Sequence, residues 1–172
     1  FLASMIHSYS KRQEGPFVEF DVTKSPGCAA EPRLFGCVQD RANGSNGGGR
    51  FQAAAGGTLF IGEVASLSLT CQARLLRALE SRTILPVASH DEVSIDVRII
   101  AATTLDLQSE VDQGRFRRDL LYRLNVIPIH LPPLRERRED IPGLASRLLE
   151  EICLSQQRPP IRAEPSFTRT LA

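Results

Sequence analysis

The chain has 172 residues, enough for one domain and part of a second, and 42% of them are hydrophobic, so it can build a buried core. Its 21 basic and 20 acidic side chains leave a net charge of +1, which gives no bulk reason to expect nucleic-acid binding through a basic surface. No apolar run approaches the ~20 residues that span a bilayer and no basic-then-apolar signal pattern opens the chain, so a cytoplasmic protein without membrane contact is expected.

Leu2, Met5, Ile6 and Tyr9 recur at helical spacing until Gly15-Pro16 stops them. The chain opens on Phe1 as though inside a helix and closes on Thr170-Leu171-Ala172, so it is expected to be a fragment. Phe17 to Val22 reads as a short strand. From Thr23 to Arg33 the composition turns to Pro, Gly, Ala and Ser, and residues 43–49 are Asn, Gly and Ser alone, which excludes a regular element there. Thr58-Leu59-Phe60-Ile61, behind Gly56-Gly57, reads as a buried strand. Leu69 to Leu79 predicts an amphipathic helix, and Ser94 to Ala102, with Ile95, Val97, Ile99 and Ile100, another strand. Leu105 to Asp112 and Phe116 to Leu124 read as helices parted at Gly114. Val126 to Leu131 is extended, and Pro128 confines it to an edge or terminal strand. Asp140 as N-cap and Pro142 in the first turn open a last helix, with an apolar stripe from Ile141 to about Cys153. Strands alternating with helices predict a parallel α/β sheet with helices on both faces.

Cys28, Cys37, Cys71 and Cys153 are irregularly spaced without a Cys-x-x-Cys pair, and His7, His90 and His130 are isolated, so no metal site is expected and the cysteines read as free thiols. Open α/β sheets bind ligands outside the carboxyl ends of their strands. That rule singles out Glu63, which ends the strand at Thr58.

Blocks of sequence add a family. Leu34-Phe35-Gly36, Gly49-Arg50-Phe51 and Ala55-Gly56-Gly57-Thr58-Leu59-Phe60-Ile61 resemble the central domain of bacterial sigma-54-dependent transcription activators. So do Asp96-Val97-Arg98-Ile99-Ile100-Ala101-Ala102-Thr103, Gly114-Arg115-Phe116-Arg117-Arg118-Asp119-Leu120 and Tyr122-Arg123-Leu124-Asn125-Val126. The run from Leu131 through Pro132-Pro133-Leu134-Arg135-Glu136-Arg137 to Pro142 is long and specific. The resemblance spans nearly the whole chain in order. It implies an AAA+ α/β domain of the P-loop NTPase type, a parallel sheet flanked by helices, over residues 1–138, and the start of a helical lid over residues 139–172.

The resemblance also implies ATP and magnesium as cofactors, self-association into a ring, contact with sigma-54 RNA polymerase, and DNA binding through a domain outside this chain, as in response-regulator-like proteins. It places Gly56, Gly57, Thr58, Gly62, Glu63 and Thr104 at the nucleotide. Several functional positions depart from the family. No Gly-x-x-x-x-Gly-Lys-Ser/Thr phosphate loop occurs in this sequence. Glu63 matches the family's water-activating glutamate, but Gly62 stands where an aspartate holds magnesium. Thr104 stands where an asparagine senses the γ-phosphate. Asp21 replaces the asparagine that pairs with the catalytic glutamate, and a like-charged neighbour raises a carboxyl pKa.

Arg117 and Arg123 match arginines that reach a neighbouring subunit's ATP. On one helix, six residues turn about 600°, so the two would project about 120° apart. The alternative for both is surface pairing with Glu110, Asp112 or Asp119. Between Cys37 and Gly48, where the family carries its sigma-contact loop, there is neither Phe nor Thr, so the loop has no aromatic anchor and a large ordering entropy. A second insertion is expected from Ser81 to Val93. Two readings follow. One is an AAA+ domain of a transcriptional regulator, catalytic through Glu63, Arg117 and Arg123 but impaired in hydrolysis and sigma contact. The other is a non-catalytic oligomerisation or regulatory module, or an inactive gene fragment.

Overall fold

A computed structural model describes residues 1–25, 29–37 and 48–159. The described residues belong to two compact units, Phe1–Ile127 and a second beginning at Pro128. The first unit is built on α1 (Leu2–Ser8), β1 (Phe17–Asp21), α2 (Ala30–Phe35), the single turn α3 (Arg50–Ala53), β2 (Thr58–Gly62) and α4 (Leu69–Ser81). It continues through β3 (Thr83–Ile84), β4 (Val93–Ser94), β5 (Arg98–Ala101), α5 (Leu107–Asp112) and α6 (Arg118–Leu124). The second unit holds two 3-10 turns, Leu134–Glu136 and Arg138–Asp140, and α7 (Ile141–Ser155).

The sheet has the order β1-β2-β5, and both pairings are parallel. β2 lies between two partners, and its composition follows from that: Thr58, Leu59 and Ile61 are all fully buried. Its entry is just as crowded. Thr58 N donates to the Pro16 carbonyl at 2.9 Å, and a Cβ on Gly57 would lie 2.0 Å from that same oxygen. Only glycine lets β2 start so close to the segment before β1. The core that covers the sheet gathers Phe20, Leu34, Phe35, Phe51, Leu75 and Leu120, with the Phe35 and Phe51 rings stacked at 5.5 Å.

α4 runs where its periodicity predicts. Ser68 Oγ accepts from Cys71 N at 3.2 Å and caps it, Cys71, Gln72, Leu75 and Ala78 face the core, and Arg82 ends it in a left-handed conformation.

Other elements differ from expectation, each for a local reason. The expected strand from Ser94 to Ala102 is two strands. Ile95 N bonds the Arg82 carbonyl, whereas the Asp96 carbonyl takes Gly56 N at 2.8 Å; the chain therefore leaves the antiparallel β3–β4 hairpin at Ile95 before joining the main sheet. α5 starts at Leu107, because Asp106 Oδ1 accepts from Gln108 N and makes Asp106 the cap. α6 starts at Arg118, because Arg117 is extended at φ −79°, ψ 131°. Val126 to Leu131 forms no strand: Val126 N closes back on the Leu124 carbonyl and Pro128 lacks a donor. Asp140 precedes α7, but its side chain makes no capping bond and lies 3.8 Å from Arg137 instead. Among the described residues no helix is long and apolar enough to cross a membrane.

Candidate functional site

The carboxyl ends of the three parallel strands converge. Asp21, the last residue of β1, is in register with Gly62, the last of β2. The β2–β5 ladder runs on past both strands through Ala102 N to the Ile61 carbonyl (2.9 Å) and Val64 N to the Ala102 carbonyl (3.0 Å). Glu63 is therefore held at the mouth of the sheet, and it turns the chain there in the left-handed region, φ 54°, ψ 51°. A non-glycine residue in that conformation costs about 1 kcal/mol, offset here by the ladder bonds on either side. The Glu63 carboxylate faces β5: Oε1 accepts from Thr104 N at 3.0 Å and Oε2 from Thr104 Oγ1 at 3.2 Å.

Asp21 is engaged on its own strand end. Its Oδ1 accepts from Thr23 Oγ1 at 2.6 Å and Thr23 N at 3.0 Å, and Lys24 Nζ lies 3.4 Å from Oδ2. The Thr23 hydroxyl, more than Lys24, holds the Asp21 carboxyl below the usual carboxylate range. This is the opposite of the raised carboxyl expected from a like-charged pair: the raising influence is partial desolvation, and the Thr23 and Lys24 donors outweigh it. Gly62 has room for more than a hydrogen. A Cβ there would meet nothing nearer than Phe60 Cε1 at 3.7 Å and Asp21 Cα at 3.8 Å.

A magnesium ion needs several free oxygen donors in near-octahedral array. Gly62 offers no side-chain oxygen, the Asp21 carboxylate is turned to Thr23 and Lys24, and each Glu63 oxygen accepts a bond from Thr104. The donor set at this edge does not fit magnesium. What the edge can do is hold one carboxylate in a fixed orientation.

Of the sequence-derived nucleotide residues, Gly62, Glu63 and Thr104 come together, whereas Gly56, Gly57 and Thr58 do not join them. These three stand at the start of β2, about 13 Å away along the strand. There Gly57 meets Pro16, and the fully buried Thr58 hydroxyl lies 2.9 Å from His7 Nδ1. Their fold role is explicit: they fasten α1 and β1 to β2.

Arg117 and Arg123 do not share a helix, so the rotation expected between them does not apply. Arg117 is the residue before α6, and its guanidinium makes a two-pronged pair with Asp119 at 2.7 and 3.0 Å. The pair holds the Asp119 carboxyl low, with the Arg117 bond as the main cause. Arg123, on α6 and exposed, donates to the Leu79 carbonyl at 3.2 Å. Nearby, Arg115 makes a bidentate pair with the buried Glu110.

Sequence reading missed Gln72, which fixes this segment. Its side chain is fully buried. Nε2 donates to the Leu67 carbonyl (2.8 Å) and the Arg115 carbonyl (3.0 Å), and Oε1 accepts from Arg117 N (2.9 Å). One amide thus joins the chain leaving Glu63 to the segment that carries Arg117. The available signal was a polar residue on the apolar stripe of α4, spaced three from Leu69 and Leu75.

The expected contact loop between Cys37 and Gly48 falls at 38–47 outside the described residues. The second insertion, Ser81 to Val93, contains β3 and leads into β4; Glu92 ties it down through Arg77 and Thr83 Oγ1.

Comparison with known proteins places this geometry. The model of the sigma-54 interaction domain matches residues 1–130. The response regulator protein PilR of Pseudomonas aeruginosa is 47% identical over 153 residues, 88% of this chain and 34% of its own. The DNA-binding transcriptional regulator NtrC of Escherichia coli K12 is 45% identical over 151 residues, 87% of this chain and 32% of its own. The chain thus spans about a third of the length of these curated relatives. Among solved structures, NtrX from Brucella abortus in complex with ADP superposes with a TM-score of 0.83 at 34% identity, covering 99% of this chain and 37% of that one. The same protein in complex with ATP gives 0.81, also at 34% identity, covering 95% and 36%. The α/β architecture expected from the sequence, a parallel sheet flanked by helices, is the one found.

Proposed function

Because the chain belongs to the sigma-54 interaction domain family, we propose that it is the AAA+ domain of a transcriptional regulator in which nucleotide hydrolysis is impaired. The parent activity would be an ATP-driven motor acting on sigma-54 RNA polymerase. Nucleotide binding is supported by the ADP and ATP complexes of NtrX. Residues 1–138 are assigned to the α/β subdomain and 139–172 to the beginning of the helical lid. DNA binding through a segment outside this chain is supported by the name of NtrC, a DNA-binding transcriptional regulator, and a cytoplasmic location belongs to the same reading.

Phosphoryl transfer to water needs an oriented nucleophile and positive charge on the transferred group, part of it from magnesium. Glu63 is the candidate base that orients water, and Arg117 and Arg123 are the candidate arginines that reach a neighbour's nucleotide. The single observation that carries the impairment is the pairing of Gly62 with Asp21 at the strand ends, which leaves the metal position without a free carboxylate. Thr104 donates its hydroxyl to Glu63.

A non-catalytic oligomerisation and regulatory role is favoured by one contrast. The arginine segment keeps its full set of supporting bonds through Gln72, Asp119 and Glu110. Exposed Tyr122 and Val126 beside it support self-association into a ring. Productive contact with sigma-54 is not expected, since residues 37–48 hold no Phe or Thr.

ATP turnover by the full-length protein should stay at background. Robust turnover that disappears on Glu63→Gln would overturn the impairment and restore the motor reading.

A further inference from the structure

We propose that Thr104 is the positioning residue for Glu63 in this chain: it holds the Glu63 carboxylate from the β5 side, a task that Asp21 on β1 cannot perform. The inference rests on the reading of Glu63 as the acid of the site.

The reason begins with donors and acceptors. An ionised carboxylate can only accept hydrogen bonds. Asp21 is such a carboxylate, already supplied by Thr23 and Lys24, so it has nothing to donate to Glu63. Thr104 has two donors, its backbone N–H and its hydroxyl, and each meets a different oxygen of Glu63, at 3.0 and 3.2 Å. Bonds to an ionised acceptor are the stronger kind. Two of them from one residue fix both the position and the roll of the carboxylate.

The backbone prepares the same contact. The left-handed turn at Glu63, together with the Val64 N to Ala102 carbonyl bond, brings the residue after β2 beside the one that leaves β5. Thr103 Oγ1 accepts from Leu105 N at 3.1 Å and bends the chain at Thr104. Any event that moves the segment after β5 therefore changes the orientation of Glu63, while an event at the end of β1 does not.

The test uses amide NMR on the full chain between about pH 3 and 7, the range in which carboxylates titrate. The Thr104 amide proton shift should follow one carboxylate titration. Glu63→Gln should abolish that titration at Thr104, and Asp21→Asn should leave it in place. A flat Thr104 amide in the unsubstituted chain, or a titration that survives Glu63→Gln, would overturn the proposal. A loss with Asp21→Asn would also overturn it, by returning control to β1.

A second measurement needs no acid. At neutral pH, Thr104→Val removes the hydroxyl at constant shape and should move the Glu63 side-chain carboxyl carbon resonance, while Thr104→Ser should return it. An unchanged resonance in Thr104→Val refutes the clamp, since a threonine that only packs would be indifferent to the hydroxyl. Turnover separates the two readings. Robust turnover that disappears on Glu63→Gln overturns the impairment and leaves the clamp standing, whereas an unchanged resonance in Thr104→Val overturns the clamp whatever the turnover.

Discussion

The carboxyl edge of the sheet and the arginine segment lie on the same scaffold, yet they are held in different ways. At the edge, carboxylates are served by short neighbours: Asp21 by Thr23, Glu63 by Thr104. Gly62 between them touches nothing that its missing side chain would need. At the arginine segment, a fully buried amide spans two elements and satisfies three backbone groups. The edge is therefore free to change without consequence for the fold, because its chemistry was added at strand ends that the ladder alone fixes. The arginine segment is not, because its placement and the packing of α4 are one structure. A chain can lose a metal ligand at the first region and keep its shape; it cannot lose Gln72 at the second.

The largest test of that difference is Gln72→Leu. It fills the space but takes the Gln72 partner from the buried Leu67 carbonyl and from the part-buried Arg115 carbonyl and Arg117 N. Buried unpaired groups cost about 1–3 kcal/mol each, partly relieved by relaxation, so a loss of about 3 kcal/mol is expected in urea unfolding. A loss under about 1 kcal/mol would mean that the segment finds water or other partners, and the contrast would fail. Next comes Gly57→Ala at the entry of β2. Its Cβ would press on the backbone oxygen of Pro16 at 2.0 Å, and such overpacking costs about 2 kcal/mol. The same unfolding measurement checks it.

Much of this was legible in the sequence and some was not. β2 and α4 could be read because burial on both faces or on one stripe writes a hydrophobic pattern of the right period. The break at Asp96 could not, since it depends on Gly56 N, forty residues earlier in the chain. The helix that was expected to carry both Arg117 and Arg123 failed for the same reason: Gln72 captures Arg117 N from a distant element and keeps Arg117 extended. At the site, Glu63, Gly62 and Thr104 were identifiable from strand ends and family motifs. Their bonds were not. Thr104 was expected at the nucleotide, and its bonds to the Glu63 carboxylate were not foreseen. Gly56, Gly57 and Thr58, expected at the nucleotide with Glu63, stand at the other end of a five-residue strand from it, a separation that a motif read along the chain does not display.

Acid separates the two regions by a smaller margin. The Arg115 guanidinium holds the nearly buried Glu110 carboxyl below its ordinary value, and Arg117 does the same to Asp119. A carboxyl lowered in the folded state contributes stability that is present above its unfolded pKa, about 4, and is lost as pH falls through the folded value. The urea midpoint should therefore drop as pH falls below about 4, and Glu110→Gln should flatten part of that drop. An identical acid profile in Glu110→Gln would show that the pair does not couple to folding. Asp21 is lowered as well, chiefly by the Thr23 hydroxyl, but it is open to solvent, so Asp21→Asn should change the profile less.

The smallest effect expected is the most telling for the edge. Gly62 lies at a strand end without a left-handed backbone, and its nearest neighbours to a Cβ are at ordinary contact distance, 3.7 to 3.9 Å. Gly62→Ala should therefore raise stability by about 0.5 kcal/mol, through the narrower unfolded ensemble of alanine. Set beside Gly57→Ala, five residues earlier and just before the strand begins, the sign reverses. The two glycines differ in what stands over them, the Pro16 carbonyl at 2.0 Å in one case and atoms at ordinary contact distance in the other. A loss of more than about 1 kcal/mol at Gly62 would mean that the edge is packed more tightly than its distances indicate. Glycine would then be there because the fold requires it, and the missing carboxylate would no longer count as a change in chemistry alone.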